Sequence, residues 1–406
     1  MNAISKIEGV SAAAAPAHSA PSRAAQATLV LVGSLVVMAT AVVAPALPAI
    51  EAHFAGQPGA AYLVRLIVTL PAFVIAVAAP LAGYVLDRLD RWPVVFWALA
   101  AFVVFGAAGS VAGSLEMLLA TRAGLGLSVA FLMAGFTSLI GDMFEPQARG
   151  AIMSRQVGAN SIVALSMILM AGVFAEMDWR GAFLIYLAAA PLVLAFWLFV
   201  PRSRHRSDTP AAGAALAGQG ESMAVVRAVY ALALLCPLLY MILPTQSPFL
   251  IAETYGGTPT TIALAFGAST LGVLPGSFAF GQLRGRLSTW SLFGLGFSIM
   301  GLGMLLQGIA PSLGLLVGAM GFSGIGFGLV MPNLSTTLLA AAPAHLRGRL
   351  SGGLVSSIFL GQFLSPVASQ PIVDAYGYPP TFLLGGLLLC VVALVAFMGA
   401  ASRRRS

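Results

Sequence analysis

The sequence predicts an all-α membrane protein, with twelve transmembrane helices in two pseudo-symmetric six-helix bundles and both termini in the cytoplasm. Three observations carry that prediction. Of 406 residues, 59% are hydrophobic and only 8% charged, whereas soluble domains carry about 25% charged residues. Twelve apolar stretches each lie near the length of about 20 residues that a helix needs to cross a bilayer. Finally, a set of landmarks in the first half returns, in order, in the second.

Taken along the chain, residues 1–24 are rich in Ala, Ser and Pro and lack a continuous apolar core behind Lys6. They read as a disordered cytoplasmic tail rather than a cleaved signal peptide. The spans follow at roughly 26–50, 61–82, 92–113, 115–141, 150–174 and 181–200, which places a first bundle over 25–200. Residues 201–222 are the only long polar interruption and read as a flexible cytoplasmic linker. The second bundle covers 223–401, with spans near 224–251, 259–282, 290–309, 313–340, 350–373 and 380–400, ahead of a basic tail over 402–406. The fourth, seventh and tenth spans are long enough to tilt or break. None alternates polar and apolar residues as barrel strands do.

Arginine placement sets the orientation. Arg88 and Arg91 follow span two, Arg149 and Arg155 follow span four, and Arg202, Arg204 and Arg206 follow span six. In the second half Arg284 and Arg286, Arg347 and Arg349, and Arg403, Arg404 and Arg405 take the same places. Odd-numbered exits carry Glu51, Glu116, Glu176, Asp178, Glu253 and Asp374, with Arg180 the one base. Cytoplasmic loops are enriched in arginine and lysine, so both termini are expected inside. The net charge of +7 is thereby a topology signal and does not point to nucleic acid. Cys236 and Cys390 sit in apolar runs and read as small buried hydrophobes.

The repeat is visible residue by residue. Gly83 and the loop after it return as Gly281 and its loop, an offset of 281 − 83 = 198. Gly124-Leu125-Gly126 returns as Gly324-Ile325-Gly326, Arg149-Gly150 as Arg347-Gly348, and Phe183 as Phe382. Duplicated six-helix halves suit a transporter with its substrate site between them near mid-depth.

These residues resemble the major facilitator superfamily across nearly the whole chain. Gly83-x-x-x-Asp87-Arg88-x-x-Arg91 is similar to its motif between helices two and three, Arg122-x-x-x-Gly126 to its helix-four arginine motif, and Asp178-Trp179-Arg180-x-x-Phe183 to the turn before helix six. The resemblance implies a conformational latch of Gly83, Asp87, Arg88 and Arg91. Asp87 would face the start of helix eleven near Leu350-Ser351-Gly352-Gly353, Gly83 would let backbones approach, and the latch would bias one access state against the other. The alternative is a loop that only sets topology. Met167-Ile168 stand where the proton-coupled drug exporters usually have Gly-Pro, which weakens the export signal. The stretch Leu243-Pro244-Thr245-Gln246-Ser247-Pro248-Phe249 resembles exporters of metallophores and small drugs.

Arg65 and Arg122 are the charges well inside spans. A buried arginine is costly and is expected to face protein or water. Both are therefore candidates for the substrate or coupling cavity, against the simpler reading that they snorkel outward toward Glu51 or Glu116. Asn160, Gln246, Asn333 and Gln362 are the costliest neutral polar residues to bury and are further cavity candidates, while Pro244 and Pro248 make helix seven a bending element. No carboxylate or histidine falls at mid-depth, so a coupling acid would have to be Asp87, Glu116 or Asp142, or the substrate itself. Gly324-x-Gly326-x-Gly328 lies inside an apolar span and reads as helix packing rather than a nucleotide loop. No paired carboxylates, metal cluster or nucleophile–base set occurs at depth, which argues against an intramembrane enzyme.

The expected function is therefore proton-coupled export of small organic or amphiphilic compounds by alternating access, against import or exchange of an organic anion through Arg65 and Arg122. No cofactor and no metal are expected. The expected partners are a small-molecule substrate, protons and the lipid bilayer, with the protein working as a monomer. Lys6 is the only lysine among many arginines and alanines, which suggests a GC-rich bacterium and hence its inner membrane.

Overall fold

The structure is a computed structural model that describes residues 21–202, 222–343 and 346–402. Most of the expected N-terminal tail, most of the linker and nearly all of the basic tail lie outside the described residues. Among those described there is no strand, and eleven helices are long and apolar enough to span a bilayer.

We number the twelve segments in chain order. α1 (23–53) is the exception to regularity: helix from Arg23 to Ser34 gives way to single turns and short pieces before Leu47–His53. Proline at i removes the bond to the carbonyl at i−4. Pro45 and Pro48 therefore release the Ala41 and Ala44 carbonyls, and the helix lapses there. α2 (Ala60–Leu86), α3 (Arg91–Ala108), α4 (Leu115–Met143), α5 (Pro146–Met177) and α6 (Gly181–Phe199) complete the first half. α7 (Met223–Tyr255) pauses at Met241, where Pro244 leaves the Tyr240 carbonyl without its donor and Thr245 Oγ1 donates to the Met241 carbonyl instead (2.6 Å). α8 (Pro259–Leu283), α9 (Thr289–Gly308), α10 (Leu313–Ala341), α11 (Arg347–Tyr376) and α12 (Tyr378–Ser402) follow.

Side-chain caps start the helices where the sequence supplies them: Ser114 on α4, Thr258 on α8, Ser288 on α9 and Ser312 on α10 each accept from a backbone N–H in the first turn. α5 and α11 extend further toward their arginine ends than their apolar cores alone suggest. There Arg149 folds back to donate to the Gly141 and Phe144 carbonyls at the end of α4, and Arg347 reaches Ala342 in the same way. The repeated arginine thus does the same local job in both halves.

Packing follows the repeat. α2 lies on α4 as α8 lies on α10, α3 on α4 as α9 on α10, α1 on α5 as α7 on α11, and α3 on α6 as α9 on α12. Between halves the seams are α2 with α11 and α5 with α8. One apolar core runs through both halves. The arginine-rich loops share one end of the bundle with the start of α1, as the contacts Arg155 to Gln26 and Arg91 to Asp142 require. We call this the basic face and the opposite end the acidic face.

The two seams are not closed along their whole length. Toward the acidic face α5 meets α8 tightly: Thr260 donates to Glu176, and Gly172 lies against Ala263 and the Pro259 carbonyl. Phe73 of α2 packs on Phe363 of α11 with ring centroids 4.6 Å apart, and Ser356 donates to the Ala76 carbonyl. Toward the basic face Gly83 on α2, Gly158 and Gly281 on α5 and α8, and Gly352 on α11 have open space where a Cβ would project. These contacts between the halves lie from mid-depth to the acidic face.

Candidate functional site

Arg65 is the knot of the closed end. It lies two turns into α2 and is only 1% exposed. Its guanidinium donates to four acceptors: Nη1 to Glu51 Oε2 of α1 at 2.8 Å and to the Ala61 carbonyl, Nε to Gln246 Oε1 of α7 at 3.0 Å, and Nη2 to the Tyr378 hydroxyl of α12 at 3.3 Å. It also lies over the Phe249 ring, 3.8 Å from the centroid. Glu51 and Ala61 belong to the first half, whereas Gln246, Phe249 and Tyr378 belong to the second. The desolvation that makes a buried arginine expensive is met here by an ion pair, oxygens and a ring face held across the seam.

The network continues into the second half. Gln246 Nε2 donates to Ser369 Oγ (3.0 Å) and Gln370 Oε1 (3.2 Å) of α11, Gln370 donates to Asp374 (2.7 Å), and the Tyr378 hydroxyl donates to Glu253 (3.0 Å). Gln246 can reach across because the proline-interrupted α7 keeps residues Ile242 to Ile251 buried against its neighbours. Glu51 remains partly solvated, its side chain 29% exposed.

One turn deeper the same helix faces carry polar atoms with no partner. Thr69 follows Arg65 by four residues on α2, and Ser365 precedes Ser369 by four on α11, a shift of about 6 Å toward mid-depth. Both hydroxyls are buried and unpaired, as is the Gln362 Oε1 a further turn along. Buried polar atoms are ordinarily satisfied, so this stripe is the part of the seam best suited to meet a solute or water. Tyr240, at the α7 interruption, stacks on Phe327 of α10 (4.0 Å, 14°) and shares a hydrogen bond with Ser269 of α8 (2.8 Å).

The other predicted site residues are placed as follows. Arg122 is also 1% exposed, but it points within the first half, donating to the Phe105 and Gly106 carbonyls of α3 (3.0 and 2.8 Å) and lying over Phe183 and Tyr186 of α6. Asn160 sits four residues from Gln156, which donates to the Gly33 carbonyl of α1, and its Oδ1 is unpaired. Asn333 is buried near the basic face and ties α10 to α9 through the Thr289 carbonyl (3.0 Å). Gln246 and Arg65 are thus brought together, Gln362 lies along the same seam, and Arg122, Asn160 and Asn333 stand apart from it.

At the basic face Asp87 is exposed, and its N–H donates to the Gly83 carbonyl at the end of α2 (3.0 Å). Arg91 pairs with Asp142 of α4, and Arg88 lies over Tyr84 of its own helix. In this conformation the expected latch to α11 is unengaged. Glu51, Ser369, Gln370, Asp374, Glu253 and Tyr378 were not predicted as site residues. The only sequence trace of them is that odd-numbered exits are acidic, which does not say which acid meets which helix.

The family profile described as Major Facilitator Superfamily matches residues 29–239 and 229–405. The 4-hydroxybenzoate transporter PcaK of Pseudomonas aeruginosa is 25% identical over 145 residues, 36% of this chain and 32% of that protein. The multidrug efflux pump Tap of Mycolicibacterium fortuitum is 25% identical over 138 residues, 34% of each. The efflux pump dotC of Dothistroma septosporum is 29% identical over 154 residues, 36% of this chain and 25% of that one. The matched part spans about a third of the length of these relatives or less. Among solved structures, the human organic anion transporter MFSD10 (TETRAN) superposes with a TM-score of 0.67 over 93% of this chain and 100% of that one at 18% identity. The POT family transporter PepTSo gives 0.72 over 94% and 98% at 12% identity.

Proposed function

Because this chain belongs to the Major Facilitator Superfamily, we propose that it works by alternating access as an exporter of small organic and amphiphilic compounds, driven by proton exchange. The observation that carries the reading is the Arg65 network. It clasps the halves at the acidic face, the arrangement expected of a carrier closed on that side. With the basic face placed in the cytoplasm by its arginines, the chamber loads from inside.

The same network favours export of neutral or amphiphilic compounds over anion import. In the conformation closed at the acidic face Arg65 already has four acceptors, and Arg122 is turned into its own half. A solute arriving from the cytoplasm meets hydroxyls, amides and aromatic rings rather than a free cation. The similarity to Tap and dotC supports this direction. For coupling, Glu51 pairs with Arg65 inside the first half, whereas Glu176 accepts from Thr260 across the seam, and protonating Glu176 would weaken that contact between the halves. The membrane is proposed to be the bacterial inner membrane, and the protein to act as a monomer.

Organic-anion transport is the second reading, supported by the position of Arg65 between the halves and by the similarity to PcaK and MFSD10. Proteoliposome flux across an imposed pH gradient, with a panel of neutral, cationic and anionic compounds, separates the two. Proton-dependent extrusion of several unrelated compounds is the expected result. Uptake of one organic acid alone, or flux of amphiphiles that ignores the gradient, would overturn it.

A further inference from the structure

The donors of Arg65 divide by half in a way that has a chemical meaning. Nη1 is held by Glu51 and Ala61, which move with α2, whereas Nε and Nη2 are held by Gln246 and Tyr378, which move with the opposite half. The Nε–H and adjacent Nη2–H of a guanidinium lie side by side and match the two oxygens of one carboxylate. Here that edge is filled by two separate neutral oxygens, at 3.0 and 3.3 Å. Separation of the halves at the acidic face strips both oxygens, and the Phe249 ring, from a cation that is otherwise buried.

We propose that this edge of Arg65 is a carboxylate-binding site that exists only in the acidic-face-open state, where an organic monocarboxylate competes with closure. The inference rests on the alternating-access reading and deepens it. A carboxylate bridging Nε and Nη2 replaces the pair of oxygens that Gln246 and Tyr378 supply, so its binding and the clasp are mutually exclusive. A bound monocarboxylate must therefore leave before the clasp can re-form. The same carboxylates supplied at that side hold the gate open and slow turnover. Glu51 stays on Nη1 and, being partly solvated, is screened from the incoming anion. Thr69, unpaired one turn below, offers a hydroxyl to the far end of the same ligand.

The test uses the full-length protein in lipid nanodiscs, with Cys236→Ala and Cys390→Ala, and nitroxide labels at Met177→Cys on α5 and Tyr376→Cys on α11. Both positions are exposed at the acidic ends of opposite halves. Benzoate is expected to raise the long-distance population relative to the short one by roughly tenfold, while benzamide, of the same shape and without charge, leaves it unchanged. Arg65→Lys, which keeps the charge and loses the edge, is expected to abolish the benzoate effect. Should that variant fail to insert, Gln246→Leu with Tyr378→Phe removes the competing oxygens, and half-saturation by benzoate is expected to fall roughly tenfold. Equal responses to benzoate and benzamide, or a benzoate response surviving in Arg65→Lys, overturn the site while leaving alternating access standing. A single distance population in every variant and condition overturns both.

Discussion

The two halves share a helix order and a packing scheme, yet they are glued differently. The seam between α8 and α10 is backbone on backbone: a Cβ at Gly272, Gly276, Gly324 or Gly328 would lie 2.0–2.2 Å from a carbonyl oxygen of the facing helix. At the equivalent seam between α2 and α4 only Gly126 makes such an approach, to the Pro71 carbonyl. Elsewhere in the first half glycines receive side chains instead, Gly106 under Tyr186, Gly109 under Phe183 and Gly124 under Phe105. Small residues let membrane helices approach closely, whereas a ring seated on a glycine can turn. The repeat therefore preserved the path of the chain and not the means of holding it. The seam between α8 and α10 is thus the closer of the two, and the first half carries both buried arginines.

The sharpest way to break this comparison is to add the same methyl group on each side. Gly276→Ala forces a carbon against the Ile325 carbonyl, and overpacking of this kind costs about 1–3 kcal/mol or more. Gly124→Ala meets a ring of Phe105 that faces outward, and is expected to be near neutral because alanine is the better helix former. Thermal unfolding followed by tryptophan fluorescence should show a large loss of midpoint for the first and little change for the second. Equal losses would show that the two seams are equally rigid.

Next in size comes Arg122, which the structure places as mortar between α3, α4 and α6. Arg122→Ala is expected to cost about 2–4 kcal/mol by leaving a void, whereas Arg122→Met, which fills the space, stays within about 1–2 kcal/mol and keeps transport, since buried charge can be replaced by apolar volume. Flux lost in a stable Arg122→Met protein would return this residue to the chamber.

Across the seam, Gln246→Leu removes the bond to the Arg65 cation, worth about 1.5–3 kcal/mol, together with the bonds to Ser369 and Gln370 inside the second half. The population closed at the acidic face should fall accordingly, read as faster labelling of a cysteine placed at Thr69. Unchanged labelling would mean that the clasp is incidental to closure. The smallest effect on stability is expected from Asp87→Asn, under about 0.5 kcal/mol because the side chain is exposed, although transport should slow if Asp87 engages α11 when the basic face closes. Wild-type flux in that variant would reduce the loop to a topology signal.

What the sequence determined by itself follows from the bilayer and from local bonding. Hydropathy located the helices, because an unpaired backbone group in lipid is too costly for any other fold, whereas the broken course of α1 and the basic ends of α5 and α11 depended on local bonding. Arginines marked one face, but proline alone did not mark a break: α7 pauses ahead of Pro244 yet runs on through Pro248, as α2 does through Pro71 and Pro80. Position along a helix made Arg65 and Arg122 candidates for burial, with snorkelling outward as the alternative. It could not show what they would touch, because one turn of a helix faces every direction and the partners come from residues as far off as Gln246 and Tyr378. Two arginines with the same local description thus parted ways, one into the seam between the halves and one into packing within the first half. Only the tertiary arrangement decided that, since it alone sets which helices surround each guanidinium.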